Sequence, residues 1–341
     1  MISHLLSTLT LSLLLAPSPA APPAAPPAAP PVVIAHRGAS GYLPEHTLEA
    51  KALAHGMAAD FLEQDVVLSK DNVPVVLHDI QIDAVTNAAS LFPNRHRPDG
   101  RWYALDFTVS ELQQLSVTER RDPKTGRAAF PNRFPAGVGS FRIPTLDEEL
   151  AFIAGLNRST GRHTGIYVEI KQPAWHQKQG RDLSRAVLPI LAKHGYQSKQ
   201  DPCWLQCFEP DEVRRLRSDL AYQGRLVQLT GTSPAEAASL LSPDGLRSLA
   251  SFADAIGPAI SSIISGSSPD DRKITSLVRD AHAAGLTVHP YTIRADSLPP
   301  TVRSLDDLHS LLFIDAKVDG LFTDFPDRTS AWLISHPSPG H

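Results

Sequence analysis

From Val32 onward the chain alternates between two rhythms. Short runs rich in Val, Ile, Leu and aromatic residues read as buried strands. Between them, apolar residues recur at three- and four-residue spacing, as on one face of a helix. Strands are expected at 32–35, 60–68, 73–78, 166–170, 203–208, 226–229, 254–257, 286–293 and 320–323. Helices are expected from Leu48 to Gly56 behind an N-cap at Thr47, and from Thr145 to about Gly155. Further helices are expected at 183–193 (ended by Gly195), 210–220, 234–241, 270–284, 302–313 and 328–334. Only residues 69–72 separate the second run from the third. A parallel crossover takes a dozen or more residues, whereas an antiparallel return takes only a few. The third run should therefore fold back on the second and bring His78 to the level of Glu63 and Asp65. With that return set aside, eight strands alternate with helices, which is the count that closes a (β/α)8 TIM-type barrel. The fold class expected is thus α/β: one barrel over residues 32–337 with an antiparallel hairpin return after its second strand.

Two stretches break the rhythm. Residues 84–142 carry Pro93, Pro98, Pro123, Pro131 and Pro135 and only one short helical pattern, near 110–115. A structure-poor insertion of this length is usually a functional cover or disordered. Trp102, Tyr103 and Phe107 imply that it packs on something, and a lid over one mouth of the barrel is expected. The N-terminus has no Lys, Arg, Asp or Glu before Arg37. An apolar run at 5–15, too short to span a bilayer, is followed by small residues. Residues 1–21 read as a signal peptide, against the alternative of a disordered cytosolic tail, and 22–31 as a Pro/Ala-rich linker that cannot build a core. Export to a periplasmic or secreted location is the expectation, with no stable membrane insertion.

Composition narrows the partners. The 341 residues are 42% hydrophobic and 20% charged, with a formal net charge of −4. That balance argues against a nucleic-acid partner, which would need a basic face, but not against a small phosphate ester. Cys203 and Cys207, on one strand, would have Cα atoms roughly 13 Å apart, too far for a bridge, and read as buried thiols. Oligomeric state has no signature in the sequence.

The chemistry gathers at strand ends. Side chains alternate along a strand, so Glu63 and Asp65 share a face with Gln64 opposite. Phe61, Val66, Val67 and Leu68 mark the strand as buried, against the alternative of an edge strand with both acids in water. Two buried carboxylates repel each other and lose solvation, and a divalent cation relieves both penalties. Oxygen-only donors favour a hard ion, Ca²⁺ or Mg²⁺, over zinc, and export tilts the choice to Ca²⁺. Glu169 and Lys171 repeat the pattern, the first as a third metal ligand, the second as a phosphate contact; an internal salt bridge between them is the plainer alternative. His36 and His78 stand at strand ends and can divide base and acid roles. Arg37 presents a fork that matches phosphate oxygens. His176, in the loop after Lys171, reads as solvated.

These motifs closely resemble the glycerophosphodiester phosphodiesterase family, in particular its exported bacterial branch. The matching stretches are HRGASGYLPEHT (36–47), FLEQD (61–65), VVLHD (75–79), YVEIK (167–171), WLQCFEP (204–210), VHPYTIR (288–294) and DGLFTDFPD (319–327). The resemblance implies a divalent-metal enzyme that hydrolyses glycerophosphodiesters, the deacylated phospholipids, to sn-glycerol 3-phosphate and an alcohol. It implies His36 and His78 as the acid/base pair, Glu63, Asp65 and Glu169 as metal ligands, and Arg37 and Lys171 as phosphate contacts. Phe208 and Tyr291 would line the glycerol pocket. Many relatives carry Asn at the position of His46 and Trp at that of Tyr291. Related enzymes are thought to pass through a cyclic phosphate. Two rival readings share part of the pattern: a non-catalytic surface binding protein on the same barrel, and another metal-dependent barrel enzyme such as a sugar isomerase. Against the first, no catalytic group is missing; against the second, Arg37 and Lys171 favour an anionic substrate.

Overall fold

The computed structural model describes residues 30–231 and 234–337. The expected signal peptide and nearly all of the Pro/Ala linker lie outside the described residues. The strands are β1 Val32–Ala35, β2 Phe61–Leu68, β3 Pro74–Val76, β4 Gly165–Ile170, β5 Cys203–Cys207 and β6 Arg225–Leu229. They continue as β7 Ala255–Gly257, β8 Ile264–Ser265, β9 Lys273–Ile274, β10 Thr287–Val288 and β11 Gly320–Thr323. Eight of them form a parallel sheet in the order β10-β7-β6-β5-β4-β2-β1-β11. Its outer members meet: Asp319 N–H donates to Val288 O at 3.1 Å and Ile293 N–H to Phe322 O at 2.8 Å. The result is a nearly closed barrel of eight parallel strands, as the sequence count implied. β3 lies antiparallel on β2, with Val66 opposite Val76, and Leu77 N–H donates to Asp65 O at 2.9 Å. His78 is thereby brought beside the carboxylate strand.

Helices cover the outside of the ring, so strands buried on both faces carry near-continuous apolar sequence; all eight residues of β2 are buried. The interior face has its own order. Phe61, Tyr167 and Trp204 form an aromatic layer with Ile34, Val227, Ala255 and Phe322. Two residues further along the same strands come Glu63, Glu169 and Gln206, all buried. Each strand thus runs from an apolar plug to polar groups at its C-terminal end, where a parallel barrel keeps its chemistry.

Local signals set most helix ends. Thr47 Oγ1 accepts from Ala50 N–H at 3.2 Å at the start of helix Leu48–Gly56. Thr145 and Glu148 form a capping box on helix Leu146–Thr160, which passes the expected stop at Gly155 and ends at Gly161, in the left-handed region with φ 72°. Three expectations are corrected. The helix expected at 270–284 spans only Leu277–Ala283. Asp271 instead accepts from the N–H groups of Ser267 and Ser268 at 3.0 and 2.7 Å, and β9 pairs antiparallel with β8. The strand expected at 286–293 is regular only at Thr287–Val288, because Pro290 has no N–H to donate. The helix expected at 302–313 is Leu305–His309 continued by a π-helical stretch, Ser310–Ala316.

The insertion is more ordered than its prolines suggest. Ile82, Val85, Phe107, Leu112, Leu115, Val117 and Phe141 form a second core on Val67, Val75 and Leu77 of the β2–β3 hairpin. It includes helices Ala88–Leu91 and Val109–Leu112 and a 3-10 turn, Ala104–Asp106. No described helix is long and apolar enough to cross a membrane.

Candidate active site

The chain turns sharply after β1. Gly38 has φ 85°, and a Cβ there would stand 2.8 Å from the Ala50 carbonyl carbon. The turn aims Arg37 N–H at Glu63 Oε2, 2.8 Å away. Glu63, Asp65 and Glu169 each offer an oxygen, and these oxygens lie within 4.8 Å of one another, all three residues buried. Asp65 Oδ2 accepts from His46 Nε2 at 2.7 Å, while Oδ1 is buried with no hydrogen-bond partner. Such an orphaned oxygen inside a ring of oxygen donors fits a hard divalent cation. Burial, and the Asp65 charge beside it, raise the Glu63 carboxyl to about 8; Glu169 is pushed up by burial as well. Asp65 is held well below the ordinary range despite its burial, chiefly by the Lys171 ammonium and His46. Lys171 Nζ lies 2.7 Å from Glu169 Oε1 and 3.9 Å from Asp65 Oδ1.

The two histidines flank this cluster. His36 Nδ1 is 2.6 Å from Asp324 Oδ1, and its Nε2 is 3.9 Å from Glu63 Oε2. Burial and Arg37 lower His36 to about 4, against the pull of Asp324, so the ring is neutral near pH 7. Asp324 is held ionised, below its usual range despite burial, by His36 and two arginines. An ionised Asp324 accepts a hydrogen bond from Nδ1–H, which leaves the Nε2 lone pair facing inward. His78 Nδ1 is 2.7 Å from Asp79 Oδ1, and burial lowers this ring as well. The cavity between them, about 160 Å³, is lined by both histidines, Arg37, the three carboxylates, Gln206, Phe208, Tyr291 and Arg294, among others. Phe208 and Tyr291 meet edge to face at 5.8 Å.

A family model for the glycerophosphoryl diester phosphodiesterase family matches residues 36–328. The chain belongs to that family. It is 39% identical over 325 residues to the glycerophosphodiester phosphodiesterase of Haemophilus influenzae, covering 89% of each chain. It is 35% identical over 319 residues to that of Treponema pallidum, covering 87% of this chain and 90% of the relative. An Oleispira antarctica phosphodiesterase, solved in complex with the product sn-glycerol-3-phosphate, shares the fold with a TM-score of 0.62 at 20% identity, over 89% of this chain and 97% of that one. Family and barrel agree with what the sequence led us to expect, and the chain is a phosphodiesterase.

In this phosphodiesterase eight of the nine residues singled out from sequence line one cavity, and the ninth, Lys171, is bonded to its wall through Glu169. His176 is a correction. It is fully buried, its Nε2 accepting from Leu68 N–H at 3.2 Å and its Nδ1 meeting Gln172 O at 3.0 Å, so it braces the C-terminal end of the carboxylate strand. Sequence reasoning missed Asp79 and Asp324, which pair with the histidines, and Gln206, whose Nε2 donates to Glu63 Oε1 at 3.1 Å. All three stand inside the motifs quoted above. A signal existed: Asp79 follows His78 directly, and Gln206 shares a strand face with Phe208.

Proposed function

We propose that this phosphodiesterase hydrolyses glycerophosphodiesters to sn-glycerol 3-phosphate and an alcohol, by histidine acid/base catalysis at a carboxylate-held divalent cation. The observation that carries the reading is the pair of histidine–aspartate couples set around three buried carboxylates. The product held by the Oleispira enzyme supports the substrate class. Glu63, Asp65 and Glu169 would hold the ion, which neutralises phosphoryl charge and polarises the ester. Oxygen-only donors and an exported location support Ca²⁺, with Mg²⁺ the alternative. Arg37 and Lys171 bind the phosphate oxygens, and Phe208 and Tyr291 flank the glycerol.

Proton traffic belongs to the histidines. One accepts the proton of the attacking oxygen at Nε2; the other donates from Nε2 to the departing alkoxide. Across the full reaction one water adds over one P–O bond. A bound phosphodiester brings negative charge beside both rings and raises their basicity, so a ring that is neutral in the free enzyme can carry a proton in the complex. The insertion, 84–142, acts as a cover for the mouth, and the leader directs export.

The test is turnover of glycerophosphocholine by the protein lacking residues 1–31, followed as glycerol 3-phosphate, with chelator and then with Ca²⁺ or Mg²⁺ restored. Activity should vanish and return with metal. A folded protein that turns over no glycerophosphodiester with any metal overturns the reading.

A further inference from the structure

Each histidine has the same construction behind it, and both constructions end in the insertion. Asp324 Oδ1 accepts from His36 Nδ1, and its Oδ2 accepts from Arg133 Nη2 at 2.7 Å. Asp79 Oδ1 accepts from His78 Nδ1, and its Oδ2 accepts from Arg120 Nη1 at 2.6 Å. Each arginine is also forked onto a further carboxylate. Arg133 donates from Nε and Nη2 to Asp296 at 2.8 and 3.0 Å, and from Nη1 to Ser40 O at 3.2 Å. Arg120 donates from Nε and Nη2 to Glu45 at 2.9 and 2.7 Å.

A carboxylate bonded through one oxygen only can turn about its terminal torsion and carry the imidazole with it. Bonding the second oxygen to a guanidinium that is itself fixed by a fork removes that freedom. The ring plane, and with it the direction of the inward Nε2, is then set by the arginine. The two branches are not equal. Asp324 Oδ2 also accepts from Arg294 Nε at 3.1 Å, so His36 has a second support. Among the described residues Asp79 has no hydrogen-bond donor besides His78 and Arg120.

The geometry points to Arg120 and Arg133 as positioning residues, through which the docked insertion aligns both histidines for the reaction. The inference rests on the reading of His36 and His78 as the acid/base pair.

The test uses the full chain, glycerophosphocholine and saturating Ca²⁺. R120M and R133M should each lower kcat, by about 10- to 100-fold, with KM changed less than about threefold, and R120M should fall further. R120K, which keeps a charge for Asp79 but not the fork, should fall between R120M and wild type. In a D79N background R120M should cost less than about threefold more, and likewise R133M in D324N, because coupled residues are not additive. D296N, which loosens the fork that fixes Arg133 but leaves its contact with Asp324, should fall between R133M and wild type. If R133M and D296N lose activity alike and the double variants are additive, the arginines merely dock the insertion and the inference fails. H36A and H78A, assayed beside them, separate the two levels: if these keep full activity, the reading of the histidines fails rather than that of the arginines.

Discussion

Lys51 offers the sharpest test of how the carboxylate strand is supported. It sits on helix Leu48–Gly56 with no exposed surface, and its Nζ lies 2.5 Å from Glu149 Oε1 on helix Leu146–Thr160, itself fully buried. The same ammonium donates to the backbone carbonyl of Glu63. Replacing Lys51 by Met keeps the apolar stem and removes the charge. Glu149 is then a buried carboxyl with no counter-charge, and its carboxyl, already raised by burial, must take up a proton. Breaking a buried pair from one side costs about 3–5 kcal/mol, because the partner is stranded. For a barrel of this size that lowers the melting temperature by about 5–8 °C. K51M/E149L removes both charges together and should recover most of the loss, since apolar replacement of a buried pair is often neutral or better. Urea unfolding followed by circular dichroism gives both numbers. K51M within about 1 kcal/mol of wild type, or a double variant no more stable than the single one, would refute the argument.

Three further outcomes are expected. Ca²⁺ at about 100 times its Kd should stabilise the chelator-stripped protein by about 2.7 kcal/mol, seen as a rise in melting temperature, and D65N should abolish the rise. His289 is buried between Tyr167 and Trp204, and burial lowers it from 6.5 to about 4. Its contribution is therefore present above pH 6.5 and lost as pH falls toward 4, where the unfolded chain binds the proton first. Urea stability measured across that window should drop, and H289Q should flatten the drop by about 3 kcal/mol. G38A meets both the left-handed backbone and the Ala50 carbonyl, so it should lose about 1–3 kcal/mol of stability and most activity, whereas G195A, with φ 85° but open space, should lose stability alone.

What the sequence disclosed depended on range. Strand runs and caps such as Thr47 and Thr145 are local, and they stand where periodicity and capping residues put them. The metal-ligand candidates were legible because Glu63 and Asp65 lie two apart on one strand and because an acid recurs in the next buried run at Glu169; that Asp65 stands opposite Glu169 in the register is visible only in the fold. The Ser267–Asp271 turn displaced the expected helix because short side chains competed for the backbone, which apolar spacing does not show. Asp324 was overlooked because 288 residues separate it from His36, and Arg133 because nothing in a proline-rich insertion says where its arginines land. His176 misled for the opposite reason: it follows the site strand closely but turns inward onto the end of the neighbouring strand, at Leu68.

The two cysteines carry a consequence of their own. Both are 1% exposed, and they mark the two ends of β5, a strand flanked on each side within the ring. Burial pushes the Cys203 thiol up to about 12 and raises Cys207 too, so neither offers a thiolate to a reagent while the ring is shut. They are therefore a native stopwatch. The rate at which a thiol label enters an unmodified sample reads the free energy of opening, with no introduced probe. Cys203 lies at the base, near Tyr222, and Cys207 at the mouth, beside Glu209. Which one labels first tells whether the barrel comes apart from its foundation or from the rim that does the chemistry.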